Sequence, residues 1–212
     1  MIRYKVNRDN TANYDGFKMP ANVGLSCKIL GVELVEGKTN DAGVKYSDRL
    51  EIKVDVVTGE YAGFYQKQYD ASTNEDKRYK GVLKLYIPTE DGSERDEWTQ
   101  KQFNSAIVAI EESNTGYTFD GDEKKLVGKL IGIITGPVRT IIDGRAIEYS
   151  ELAARGVRST IELNRGNWKK LRVRYAGCTA EEWSGSSSAP QRPSGSGDDF
   201  VVVSGDEEEI PF

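Results

Sequence analysis

Residues 50–57, Leu-Glu-Ile-Lys-Val-Asp-Val-Val, put an apolar side chain at every second position, the spacing of a strand with one buried and one wet face. The same texture recurs along the chain. Val23 to Glu36 is rich in branched residues and is interrupted at Gly24 and Gly31, where a strand bends or bulges. Thr58-Gly59-Glu60 turns the chain into Tyr61 to Tyr69, whose Tyr, Phe and Gln content predicts a third, antiparallel strand. Ala71 to Tyr79 is polar and reads as a loop.

A single helix stands out, from Glu94 to Ser113. Ser93 and Asp96 make a capping-box-like start, Phe103, Ala106, Ile107 and Ile110 fall on one stripe, and Asn114 with Gly116 provides the stop. Beyond it, Leu126 to Thr135 and Val138 to Ile142 are strand-like, and Asp143-Gly144 is a hairpin turn into Arg145 to Tyr149. Glu151 to Gly156 reads as a short helical turn, and alternation returns over Ser159 to Leu163 and Lys170 to Tyr175. Three strands, one helix and further strands predict a mainly β fold. The expected form is an OB-like Greek-key barrel with one helix between the third and fourth strands, since a parallel βαβ design needs repeated helices. A β-sandwich with an added helix is the competitor.

At 212 residues the chain has room for one domain and an appendage. It contains no histidine, so the commonest general base, the usual zinc ligand and all Ser-His or Cys-His nucleophiles are excluded. Catalysis would have to rest on carboxylates, lysine or a hard metal ion. Apolar stretches such as Leu30 to Val35 fall well short of the roughly 20 residues a bilayer needs. The N-terminus lacks the apolar centre of a secretory signal, and Cys27 and Cys178 form no paired framework, so a reducing cytoplasm and no membrane are expected.

The net charge of −5 is unevenly spread. Ala176 to Phe212 carries eight acids against Arg192 alone, a net of −7, leaving 28 basic and 26 acidic residues in the body, a net of +2. Between Arg139 and Tyr175 nine basic residues meet four acids, the most cationic stretch, which is either a solvated face or an anion site. Three domains follow from these shifts: a body at 1–175, a flexible Ser/Gly/Pro-rich linker at 176–197 and an acidic tip at 198–212. The tip ends Asp206-Glu207-Glu208-Glu209-Ile210-Pro211-Phe212. Phe212 can fill a pocket, its carboxylate can meet Arg or Lys, and the acids steer it toward basic surfaces. A merely solubilising tail is the plain alternative.

This acidic ending behind a Ser/Gly/Pro linker resembles that of bacterial and bacteriophage single-stranded DNA-binding proteins, whose tip recruits replication and repair proteins. Leu30-Gly31-Val32-Glu33-Leu34, Leu50-Glu51-Ile52-Lys53-Val54 and Gly59-Glu60-Tyr61-Ala62-Gly63 are similar to a family of small bacteriophage proteins found near recombination and replication genes. The resemblance implies an OB-type single-strand-binding role, with the host cytoplasm as the place of action. The body departs from the bacterial housekeeping proteins, whose domain is shorter.

Sequence-tolerant binding of a single strand needs cations for phosphates and flat rings for bases. Tyr61, Phe64, Tyr65, Lys67, Tyr69, Lys77, Arg78, Tyr79 and Lys80 interleave the two, with Lys84 and Tyr86 beyond them. In a strand Tyr61, Tyr65, Lys67 and Tyr69 would share one face and Phe64 the other. Each ring has the alternative of filling the core. Trp168 beside Lys169 and Lys170 is a second stacking candidate or a buried anchor, and Arg155 and Arg158 are phosphate contacts or surface charges.

Three patterns are set aside. Gly128, Gly132 and Gly136 lack the Lys-Ser/Thr ending of a phosphate loop and read as barrel bends; Asp120-Gly121-Asp122-Glu123 is too short for an EF-hand; Asp48 with Glu51-Ile52-Lys53 matches a nuclease core only as any alternating strand does. The expectation is a non-enzymatic single-stranded DNA-binding protein for replication, recombination or repair, without cofactor or metal. Its partners would be the DNA and, through the tip, replication or recombination proteins, with self-association left open. The alternatives are an adaptor whose body binds protein, and a metal-dependent nuclease.

Overall fold

A computed structural model of the chain describes residues 18–39, 46–73, 75–166 and 168–186. Its strands are β1 (Gly24–Val35), β2 (Arg49–Val56), β3 (Val82–Tyr86), β4 (Leu130–Ile142), β5 (Arg145–Arg158) and β6 (Arg174–Ala176). Its helices are α1 (Phe64–Ala71), α2 (Glu94–Ser113), α3 (Thr160–Asn164) and α4 (Ala180–Gly185). None of them is long and apolar enough to cross a membrane, among the described residues.

The first three strands form an antiparallel meander. β3 then meets β5 in parallel at Lys84 and Ala153, β5 pairs with β4, and β4 returns to β1, so five strands close a barrel with α2 between the third and fourth. The protein is mainly β, an OB-like Greek-key barrel. Closure satisfies the backbone groups that an open sheet leaves at its edges. Inward positions fill the interior: Cys27 and Ile29 on β1, Ile52 and Val54 on β2, Leu83 and Leu85 on β3.

β1 holds the barrel shut because it pairs on both sides. Its first half, Gly24 to Lys28, faces β4, while Cys27 to Val35 faces β2. The register slips between Ile29 and Gly31, so Leu30 is an extra residue that bends the strand from one partner toward the other. β5 solves the same problem with a larger irregularity: Val157 opposes Ile133, but Leu152 opposes Thr135, and the residues between swing toward β3. Gly156 makes that crossing, since a Cβ there would lie 2.1 Å from the carbonyl oxygen of Ile134.

α2 begins where the Ser93 hydroxyl accepts from the Asp96 N–H at 3.2 Å, and its first turn carries Glu94, Asp96 and Glu97, which suit the positive end of the helix dipole. It buries Ala106, Ile107, Ala109 and Ile110. Asn114 then ties its end to β4, accepting from Leu130 N–H at 2.9 Å and donating to the Leu130 carbonyl at 2.8 Å. Both helix ends are thereby anchored.

Residues 159–166 and 168–172 form a strap on the outside of the barrel over β1, β4 and β5. Small residues admit the strap: a Cβ on Gly24 would come within 3.3 Å of the Trp168 ring, and one on Gly132 within 2.7 Å of Leu163. Gly132 and Gly136 of the four-residue glycine repeat therefore serve close approach, whereas Gly128 supplies a positive φ of 85° after a 3-10 turn at Glu123–Leu126. The long β4–β5 hairpin extends beyond the barrel through the Asp143-Gly144 turn, both residues at positive φ as a two-residue hairpin demands. β6 lies parallel to β4 there, and Arg139 stacks on the Trp183 ring of α4 at 4.2 Å. The folded chain thus continues past Tyr175 to residue 186, beyond the boundary drawn from composition. The remaining linker and the whole tip lie outside the described residues.

Local expectations fail at four places. Tyr61 to Tyr69 is largely helix α1 instead of a strand, and the third strand is Val82–Tyr86. Glu151 to Gly156 stays extended within β5, because barrel closure needs it there. Ser159 to Leu163 is cap and helix, with the Ser159 hydroxyl accepting from Glu162 N–H at 3.2 Å. Of Lys170 to Tyr175 only the last two residues enter a strand, and the two strand-like runs at 126–142 merge into β4 across Pro137. Pro137 falls between the stretch of β4 paired with β1 and the stretch paired with β6, where no N–H is required.

Replacing Gly156 by alanine should lower stability by roughly 1–3 kcal/mol, because backbone has to move to admit the methyl group. Urea midpoints would show this. A G156A midpoint equal to that of the wild type would contradict the tight crossing of β4 and β5.

Candidate nucleic-acid interface

The outward positions of β2 are Arg49, Glu51, Lys53 and Asp55, alternating with the core residues. Asp55 is nevertheless buried, since α1 lies over it. Its carboxylate accepts from the N–H groups of Val56 at 2.8 Å, Tyr65 at 3.0 Å and Gln66 at 3.2 Å. A strand residue therefore caps a helix from outside, in place of the capping side chain that Gly63, at φ 70°, cannot supply. This contact explains why a segment of strand-loving aromatics winds into a helix. Gln66 reaches Asp70 at 2.9 Å one turn later and reinforces it.

Burying α1 over Asp55 sorts the predicted rings. Phe64 and Tyr65 join the core, so neither presents a stacking face. Tyr61 is half-buried against Phe64, 6.2 Å between centroids. Tyr65 and Tyr69, one helical turn apart, flank Tyr79 at 6.4 and 6.1 Å, and the Lys77 ammonium sits 4.6 Å from the Tyr69 ring. The Tyr79 hydroxyl donates to the Val54 carbonyl at 2.9 Å. Gly81 is required beside it, because a Cβ would stand 2.4 Å from the Val54 oxygen. Lys67 donates to the Ala62 carbonyl at 2.8 Å, while Arg78 and Lys80 are exposed.

The second predicted group lies on another side of the barrel, along the strap. Arg158 meets Glu162 at 3.2 Å and the carbonyls of Arg155 and Val157, and Arg155 lies 4.0 Å from Glu151, so both arginines brace the end of β5. Trp168 rests on Gly24 as an anchor of the strap. Lys169 and Lys170 are exposed and make no ion pair among the described residues.

What no other described residue covers is the outer face of β1, β2 and β3. Lys53 stands opposite Gly31 on one side and Val82 on the other, Lys84 opposite Glu51, and Tyr86 opposite Arg49. Lys53 and Lys84 are exposed without an ion pair among the described residues, and Tyr86 is 40% exposed. Glu51 holds Arg49 through two N–H···O bonds of 2.8 and 3.0 Å. Among the described residues no three His, Cys, Asp or Glu side chains gather to bind a metal. The open face thus carries more basic than acidic side chains and is bordered by the Tyr69–Lys77–Tyr79 cluster.

Sequence reasoning passed over Lys53, taken as half of an incidental Glu-x-Lys pattern. The signal was present in its period-two position on β2; what was missing was which outward face stays uncovered. No family model matches the chain, and no curated protein matches it.

Asp55 also sets the chemistry beneath α1. Burial first, and then the Asp55 carboxylate, push the Cys27 thiol up to about 12. Burial likewise raises the phenols of Tyr65 and Tyr79. A thiol held protonated is unreactive. At pH 8 a thiol reagent should titrate Cys178 alone in the native protein and both cysteines after denaturation; fast native reaction of two thiols would contradict the burial. Because the folded thiol keeps its proton, stability should fall as pH rises from about 9 to about 12. C27A should soften that alkaline loss.

Proposed function

We propose that the protein is a non-catalytic single-stranded DNA-binding protein of the bacteriophage type, which coats DNA during replication or recombination in the host cytoplasm. Its tail would recruit partner proteins through Ile210-Pro211-Phe212 and the acids before it. The observation that carries this is the uncovered lysine-bearing face of β1 to β3 on a closed OB-like barrel, next to half-exposed rings. Lysines on an extended surface neutralise phosphates whatever the base sequence, and Tyr86 and Tyr69 offer planes to unpaired bases. The acidic tip, as a polyanion on the same chain, would compete for the same cations.

Titration of the full chain with oligo(dT), and with a duplex of equal length, at increasing salt tests the proposal. Tight binding of the oligonucleotide with a steep negative salt dependence and weak binding of the duplex are expected. Tyr86→Ala should cost about 1–3 kcal/mol of binding if a base stacks there. Removing Asp198 to Phe212 should raise affinity at low salt and leave it little changed at high salt. A wild-type chain that ignores oligo(dT) even in dilute buffer would instead favour an adaptor whose body binds protein.

A further inference from the structure

The registers of β1, β2 and β3 set three lysines on a diagonal. Lys84 lies level with Glu51 on β2, Lys53 is two residues farther along, and Lys28 on β1 is level with Asp55, two residues farther again. Each step crosses one strand spacing and two residues of rise, so successive lysines are about 8 Å apart at their Cα atoms. All three are exposed and make no ion pair among the described residues.

The ground beside the diagonal differs on its two sides. On one flank lies Glu33, opposite Glu51 on β2; Glu51 is held by Arg49, so Glu33 is the acid that a polyanion meets there. On the other, α1 rises over Asp55. Between Lys53 and Lys28 the floor is apolar and low: Leu30, turned out by the bulge, is 47% exposed, and Gly31 has no side chain beside Lys53. A Cβ at Gly31 would meet only the Lys53 Cδ, at 3.9 Å. The surface is therefore a cationic lane with an apolar floor, flanked by helix and by negative charge.

We infer that this lane, Lys84–Lys53–Lys28, contacts three phosphates of one strand in succession, with a base lying over Leu30 and Gly31. The inference rests on the DNA-binding reading and adds the path and the number of contacts. A strand that follows the lane crosses the sheet obliquely, away from Glu33. Glu33 is then a selectivity element, since it keeps the polyanion off the adjoining corner.

Salt dependence of oligo(dT) binding provides the test, with wild type, K28A, K53A, K84A and, as a control on α2, K101A. Each lane variant should flatten the slope of log K against log salt by about 0.7, the value for one single-strand phosphate contact, while K101A keeps the wild-type slope. Gly31→Glu, which the open backbone site accommodates, should place a carboxylate opposite Lys53 and weaken binding at least as much as K53A. Unchanged thermal midpoints would certify that all variants are folded. Tight binding with wild-type slopes in K28A, K53A and K84A would overturn the lane while leaving the DNA-binding reading intact. Absence of binding by the wild type would overturn that reading and the lane with it.

Discussion

The double pairing of β1 is the constraint on which the other features depend. A strand that must serve β4 with its first half and β2 with its second has to bend, and the bulge at Leu30 provides the bend. Closing the barrel on this strand fixes the inward set of Cys27, Ile29, Val54 and Leu85, and with it the outward set of Lys28, Lys53 and Lys84. The residue that permits closure also leaves an apolar side chain on the outer surface. Fold and candidate interface therefore share one cause.

The outside of the barrel is divided unequally. Over β1, β4 and β5, glycines at 24, 132, 136 and 156 let the strap lie almost on the backbone, so Leu163, Trp168 and Leu171 cover that side. Over the end of β2, the Asp55 carboxylate pulls α1 down by two of its N–H groups, those of Tyr65 and Gln66, while also accepting from Val56. An acceptor that satisfies several helix-end donors is worth more than a single neutral hydrogen bond, which explains how one strand carboxylate can organise a helix of eight residues. The portion that neither strap nor helix reaches is the lysine-bearing face.

Much of this was legible in the sequence, for physical reasons that also mark where legibility ended. Branched residues found β1, alternation found β2, Ser93 and Asn114 bracketed α2, and Asp143-Gly144 announced its hairpin, since each signal acts within a few residues. Phe64 and Tyr65 were misplaced because their helix is nucleated by Asp55, eight or more residues upstream and on another element. Glu151 to Gly156 was misplaced because its extension answers to β3, far away in the chain. Period two told the two faces of β2 apart, but only the paths of the strap and of α1 decide which outward residues see solvent. Lys53 was for that reason visible as an outward residue and invisible as a candidate for the interface.

Lysine acetylation of the full chain, read residue by residue with and without saturating oligo(dT), addresses the central claim most directly. Lys28, Lys53 and Lys84 should lose reactivity when the oligonucleotide is bound, while Lys101 on α2 and Lys169 on the strap keep theirs. Protection confined to Lys169 and Lys170, or protection nowhere, would contradict the assignment of the β1–β3 face.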